Sequence, residues 1–495
     1  MKKKRSIYCG GGFLDSQLLW IIPILDGYCE KNNINIIIFE RKLSNSLLNN
    51  NYISSVLNKY KILHLKSDIS FLLILNIIIF ILKNLFKIIY YSLIINRKIL
   101  LNKDLSWKEI QICHSIWDTS FFYLKDGDLK PNIFHKFKAT LRVFLHIYFA
   151  YWLIKKNIST AFMGHSVYTA RAMIAVFRKF KIRIIIQAMD SLYILPLLFD
   201  NTWSFLDKRT LFKLHNNKIL NQSLTYWKTR LRGNANYEDA RIAFNKKIYE
   251  NKNYNLKNVI LLHIFRDSPF NIIDRERIFS DYIDWIDNTL RIISNSNEEW
   301  IVKPHPNFKR WGEDSYKIYK EILNKIINKH EIKNIKYFDD KISNMELLKN
   351  AKRVVTFSGT AHLEAACLGL KPIVISNCTL ASFPNERFVF KPKNLYQYKK
   401  LLLTDSKSSI FKLSNKQKKY AKFILFIREN VINLSQNLGT NSIYRADESK
   451  IRDYVFNSIS KKLDKNKYFL RETGKYFGKE IKNTISETYF KNFII

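Results

Sequence analysis

Cysteine is scarce in this sequence, with five residues among 495. Cys9, Cys29, Cys113, Cys367 and Cys378 are odd in number and far apart, and no two are spaced as a metal site or a redox pair. A disulfide framework is therefore excluded and a reducing cytoplasm is implied. Acidic residues are in deficit, 42 Asp and Glu against 82 Lys and Arg, for a formal charge of +40. No Asp-x-Asp motif stands near the end of a strand-like run. Long apolar runs are also missing. The one from Ile69 to Leu82 stops at Lys83, short of the roughly 20 residues that cross a bilayer. The charged start Lys2-Lys3-Lys4-Arg5 is followed by Gly10-Gly11-Gly12 and Asp15, which break any apolar core of a signal peptide, so secretion is not expected.

The 47% hydrophobic content is enough for ordinary buried cores, and the length points to about two to four domains. The positive charge is spread along the whole chain and interleaved with Asn and Ile. Without a zinc-finger spacing, an aromatic RNA-binding signature or a basic zipper, a nucleic-acid partner is not expected. The surplus suits an anionic membrane surface or phosphorylated substrates instead. If residues 69 to 96 form one helix, Asn76, Lys83 and Lys87 fall on one narrow stripe and most of the circumference is apolar. Such a helix is either sandwiched within the fold, the favoured reading, or laid in a membrane interface with lysines near anionic lipid.

Strand-like and helix-like runs alternate in two blocks. Near the N terminus, residues 6 to 9, a Gly loop, an amphipathic stretch from 14 to 31 and an apolar run ending at Glu40 read as strand, loop, helix, strand. The pattern recurs from Thr160, through a loop at Gly164-His165-Ser166, to Gln187. Residues 1–200 are thus expected to form a Rossmann-like domain with a helical insertion at about 68–155, and 201–256 a helical linker. From 257 to 410 the alternation is clean, which indicates a parallel sheet with helices on both faces. Residues 411–495 read as a basic helical extension. Two α/β domains in one chain suggest a cleft between them.

Several strand ends carry groups suited to a ligand, since open α/β sheets bind at the carboxyl ends of their strands. Ser358-Gly359-Thr360 lies between a strand and a helix, where small residues let backbone N–H groups and a helix N terminus meet an anion; a plain cap by Thr360 is the alternative. Glu364 follows Thr360 by four residues rather than the three of a capping box, and so is suited to ribose hydroxyls. His305 sits between Pro304 and Pro306 just past a strand, which restrains its backbone, and Lys303 adds positive charge. Arg266 could fork onto phosphate. Asp15, after the triple Gly, and His165 are candidate bases for an incoming hydroxyl. Each has a structural alternative, an N-cap for Asp15 and a core histidine for His165. His114 and Asp118 are weaker candidates of the same kind.

Taken in order, Val302-Lys303-Pro304-His305-Pro306, then Thr356 through Ala366 and Gly369-Leu370-Lys371-Pro372, resemble the bacterial capsule and surface polysaccharide glycosyltransferases of the GT-B fold. Their relatives include Kdo-transferase-like capsule proteins and bacterial sialyltransferases. The segments 265–269 and 281–285 look similar to the capsule-type members. The resemblance spans residues 258 to 400 well and the first half in outline. It implies an α/β chain of two Rossmann-like domains facing a cleft, with the donor nucleotide held in the C-terminal domain by His305, Ser358, Gly359, Thr360 and Glu364. It also implies metal-independent transfer from a CMP- or UDP-linked sugar, with no other cofactor, to a glycan or lipid-linked glycan at the inner face of the cytoplasmic membrane. A sugar-nucleotide epimerase, a glycerophosphotransferase and a non-enzymatic polyanion-binding protein stand as alternatives.

Overall fold

Short apolar strands with few polar interruptions fit parallel sheets covered on both faces, and the chain builds two of them. The computed structural model describes residues 5–13, 15–68, 70–102, 105–124, 128–164, 168–188, 191–194, 215–234, 258–262, 278–305, 313–337, 343–357, 360–375, 382–383, 386–431, 471 and 475. Contacts divide the chain into two units, one of residues 1–123, 131–202 and 433–495, the other of 124–130 and 203–432.

In the first unit, β1 (Ser6–Gly10), β2 (Ile36–Phe39) and β3 (Lys61–His64) run in parallel. A small hairpin of β4 (Ser106–Trp107) and β5 (Ile110–Gln111) precedes β6 (Ile158–Met163), β7 (Arg183–Ala188) and β8 (Ser191–Ile194). The sheet order is β3-β2-β1-β6-β7-β8, with only β8 antiparallel to its neighbour. Strand order therefore reverses between β1 and β6, and Gly10 is level with Met163 there. Both βαβ patterns read from the sequence are present, with the helices Asp15–Asn32 and Tyr168–Lys179 as their crossovers.

The expected helical insertion is present between β3 and β6. Its main helices are Phe71–Ile94, Cys113–Phe121 and Ile133–Lys155. Ser70 starts the first by accepting the Leu73 N–H, and Asn132 starts the last by accepting that of His135. The apolar helix does not end where Lys83 interrupts the run. It runs from Phe71 to Ile94, 24 residues in all, long and apolar enough to cross a membrane. The favoured reading of this segment, a helix sandwiched within the fold, is overturned, because one face packs on Ile133–Lys155 while Phe71, Leu82 and Phe86 are 81%, 62% and 87% exposed on the other. Hydropathy reports an apolar circumference without reporting what covers it.

The second unit follows the predicted alternation closely. β9 (Asn258–Leu261), β10 (Trp300–Lys303), β11 (Ile335–Tyr337), β12 (Arg353–Thr356) and β13 (Ile373–Val374) form a parallel sheet in the order β11-β10-β9-β12-β13. Helices Tyr282–Ile293, Glu313–Lys329, Asn344–Asn350 and Ala361–Leu368 alternate with these strands. Asp281 opens the first of them by accepting the Asp284 N–H at 2.8 Å. Trp285 is fully buried, its indole N–H donating to Tyr398 at 3.0 Å.

The amino ends of β9, β10 and β12 are tied by ions. The buried Arg353 guanidinium donates to the carbonyls of Leu402 and Thr404 and to Glu298 at 2.9 Å, and it lies over the Trp300 ring. Glu298 also accepts from the Asn258 amide at 3.0 Å and from the Ser406 N–H at 3.0 Å. Burial would raise its carboxyl, but the bonds from Ser406 and the charge of Arg353 hold it below the usual carboxylate range. A depressed carboxylate stabilises the fold above its unfolded pKa and loses that contribution as pH falls through the folded value. Glu298→Gln should therefore lower unfolding stability by about 1–2 kcal/mol at neutral pH, with the gap to wild type closing under acid conditions; urea denaturation at the two pH values measures it.

Candidate functional site

Register decides which loops share an edge of the second sheet. Lys303 at the end of β10 and Thr356 at the end of β12 are both level with Leu261 at the end of β9. The chain order reverses between β9 and β12, the position at which open α/β sheets leave a crevice for ligands. With neighbouring strands about 4.8 Å apart, the His305 loop and the Thr360 loop leave the sheet roughly 10 Å from each other on either side of β9. The sequence-predicted residues Arg266, Ser358, Gly359 and His165 lie outside the described residues.

His305 is partly exposed, one residue beyond the buried Pro304. Thr360 occupies the N-cap position of the helix Ala361–Leu368 but makes no side-chain capping bond. Its carbonyl accepts the N–H groups of Leu363 and Glu364. The first turn of that helix brings the N-terminal end of its dipole to the same edge as His305.

The two charged candidates are turned inward. Lys303 is fully buried, and its ammonium donates to the Asn344 side chain at 2.5 Å. Glu364 is 2% exposed, with Oε1 accepting from the Arg230 guanidinium at 2.5 Å. Arg230, on the helix Asn217–Leu231, is itself fully buried and also donates to Glu429 at 2.5 Å, an oxygen shared with the Tyr226 hydroxyl. Burial alone would lower the Arg230 pKa, but Glu429 and Glu364 outweigh it and hold the guanidinium charged. Glu429 sits in the π-helical turn Ile427–Val431 that follows the helix Asn415–Phe426. Three helices are thereby joined around one cation. The carboxylate whose spacing suits ribose hydroxyls is engaged by an arginine in this structure, and sequence pattern offers no signal for that partner.

The first unit has its own polar edge. Gly11 and Gly12 have φ of 83° and 90°, in the left-handed region that glycine tolerates, and both N–H groups turn to Glu40 at the end of β2, at 2.6 and 3.3 Å. Lys66 donates to the other Glu40 oxygen at 2.8 Å. Burial would raise the Glu40 carboxyl, but Lys66 and the Gly11 N–H hold it below the usual range. Gly164 brings the loop after β6 against this turn, since a Cβ there would meet the Gly11 carbonyl at 2.9 Å. Glu40, Arg41 and Lys66 line a pocket with Gly10, Gly12 and Phe13. Asp15 is the first residue of its helix, partly exposed, and its carboxylate accepts from Arg41 at 2.6 Å.

Glu40 and Lys66 were not among the sequence candidates, although Glu40 follows the same rule as the others, a charged group at a strand's carboxyl end. His114 and Asp118 fall on a helix whose nine side chains are all buried, with Asp118 3.7 Å from Arg171. They belong to the core of the insertion.

No protein-family model matches this sequence, and no curated protein matches it. Among solved structures, the chain is similar to the UDP-GlcNAc 2-epimerase of Methanocaldococcus jannaschii in complex with UDP-GlcNAc and UDP, at 16% identity over 86% of this chain and 99% of that one, with a TM-score of 0.27. It is similar to KpsC of Thermosulfurimonas dismutans, a beta Kdo 2,4 transferase, at 12% identity over 54% and 79%, with a TM-score of 0.31. Anabaena Alr3699/HepE in complex with UDP and glucose is similar at 12% identity over 93% and 100%, with a TM-score of 0.27. Scores this low assign neither a family nor an activity.

The buried ion cluster makes a sharp energetic statement. Arg230→Met would leave two buried carboxylates facing an apolar side chain and should cost about 3–5 kcal/mol, read as a large drop in thermal midpoint. The triple variant Arg230→Met, Glu364→Gln, Glu429→Gln should recover most of that loss. A triple variant as unstable as the single one would show that packing, and not charge, sets the cost.

Proposed function

We infer that the chain is a nucleotide-sugar-dependent glycosyltransferase that moves a sugar from a CMP- or UDP-linked donor to a growing capsule, lipopolysaccharide or other surface glycan. The observation that supports this reading is the common edge of the second sheet, where the His305 loop and the Thr360 helix start flank the reversal of strand order. In the proposed site, His305, the Thr360 hydroxyl and the first-turn N–H groups after it meet the donor phosphates, with Ser358, Gly359 and Arg266 completing the cradle. Lys303 contributes positive charge from within the sheet. Glu364, engaged by Arg230, acts as a positioning residue for the first turn.

The reaction follows from these roles. A base, for which Asp15 and His165 are the candidates, takes the proton of an acceptor hydroxyl, whose oxygen attacks the anomeric carbon. The bond from that carbon to the nucleotide phosphate breaks, and the departing phosphate carries its negative charge onto the N–H groups and His305. No step requires a metal ion. The acceptor is a glycan or lipid-linked glycan at the inner face of the cytoplasmic membrane. A sugar-nucleotide epimerase would use the same donor site without an acceptor, and a glycerophosphotransferase would move a different group.

Thermal unfolding against CMP, UDP, GDP and CDP species separates these readings. Stabilisation by a CMP- or UDP-sugar is expected, with His305→Ala and Thr360→Val each weakening affinity about tenfold, the loss of one hydrogen bond to a charged group. Binding of CDP-glycerol alone would favour glycerophosphate transfer, and turnover of the nucleotide sugar without acceptor would favour epimerisation. No stabilisation by any of them would remove the transferase reading.

A further inference from the structure

The helix Phe71–Ile94 has two faces with opposite surroundings. One packs on the helix Ile133–Lys155 through Phe80 against Tyr148, ring centroids 5.1 Å apart, and through Ser92 and Thr140 hydroxyls 3.1 Å apart. Asn84, also buried, returns its amide to the Phe80 carbonyl. At 100° per residue the opposite face carries Phe71, Leu75, Leu82, Phe86 and Leu93, all exposed, within about 60° of arc. Only 11% of the helix's most apolar stretch is buried. Lys83 and Lys87, both exposed, run along one flank of this face, and exposed Lys98 follows in the next helix.

We propose that this helix lies in the plane of an anionic bilayer, its exposed face sunk into the acyl boundary and Lys83, Lys87 and Lys98 at the headgroups. A contiguous apolar surface of this kind marks an interaction site. A spanning helix is disfavoured by the face already packed on protein through Phe80 and Ser92, which would leave lipid on one side only. A second copy of the chain is disfavoured by charge, since each copy carries +40 and would bring its flanking lysines against like charge. An anionic lipid surface satisfies both the apolar face and the lysines, whose stems can lie along the acyl region while the ammonium groups stay in water. The proposal deepens the membrane location given above but does not rest on sugar transfer.

Flotation of the full chain with vesicles tests it, without any nucleotide present. Wild type should bind vesicles containing about one third phosphatidylglycerol and bind pure phosphatidylcholine far less. Leu82→Glu with Phe86→Glu should weaken binding by at least about tenfold. Lys83→Glu with Lys87→Glu should remove most of the anionic preference, roughly fivefold for each lysine. Phe86→Trp, which preserves the apolar face, should show a blue-shifted emission on anionic vesicles. Unchanged binding of the Leu82/Phe86 variant, no blue shift, or no flotation of wild type would overturn the proposal. A dimer in light scattering that the Leu82/Phe86 variant dissociates, with no flotation, would overturn it in favour of a second copy. A protein that floats but binds no nucleotide sugar would lose only the transferase reading.

Discussion

A parallel strand can be followed by another only if the chain crosses back over the sheet, so each strand-to-helix loop in such a sheet leaves at the carboxyl edge. Both units of this protein are built under that constraint, and it explains why residues distant in sequence become neighbours. His305 and Thr360 are brought to one edge because β10 and β12 pair on either side of β9 with Lys303 and Thr356 at the same level. Gly10–Gly12, Glu40 and Gly164 meet in the first unit for the same reason, at the reversal between β1 and β6. The opposite edge is used for holding the sheet together, by Arg353 and Glu298.

Charge buried close to the carboxyl edge of a sheet is costly unless its partners are fixed, and the second unit fixes them by tying separate helices to one cation. Arg230 binds Glu364 from the helix that starts at the edge and Glu429 from the π-helical turn near the end of the unit. A cluster with two carboxylates on one guanidinium tolerates little displacement, because moving either acid away leaves a buried charge exposed to low dielectric. The first turn of Ala361–Leu368 is thus positioned by residues that need not touch a ligand. The cluster and the edge are coupled through one short helix.

The alternation of strands and helices from 258 to 374 is legible in the sequence because parallel strands are near-continuous apolar runs, whereas the predicted helical extension lies, beyond residue 431, almost wholly outside the described residues. The positions of His305 and Thr360 follow from the same pattern, since strand ends can be read locally. The partners of Glu364 and Lys303 are not legible: Arg230 lies 134 residues from Glu364, and Asn344 lies 41 from Lys303. Spacing rules describe one helix or one loop, whereas these bonds join elements that only the folded sheet brings together. Glu40 falls between these cases, because its strand-end position is readable but the Gly11 and Gly12 N–H groups that hold it depend on two consecutive left-handed residues.

The helix Phe71–Ile94 shows a different limit. Its sequence is apolar on almost every side, and periodicity distinguishes a covered face from an open one only where polarity differs between them. Here the covered face mixes the polar Asn84 and Ser92 with the apolar Leu73 and Ile88, and the open face holds Phe, Leu and Ile. That arrangement inverts the usual rule for a helix of a water-surrounded domain. A packed face of mixed polarity, an exposed apolar face and lysines along one flank are the features on which the in-plane membrane proposal rests. The same constraint that gathers the strand-end loops at one sheet edge leaves an insertion between β3 and β6 free to carry such a surface without disturbing either sheet.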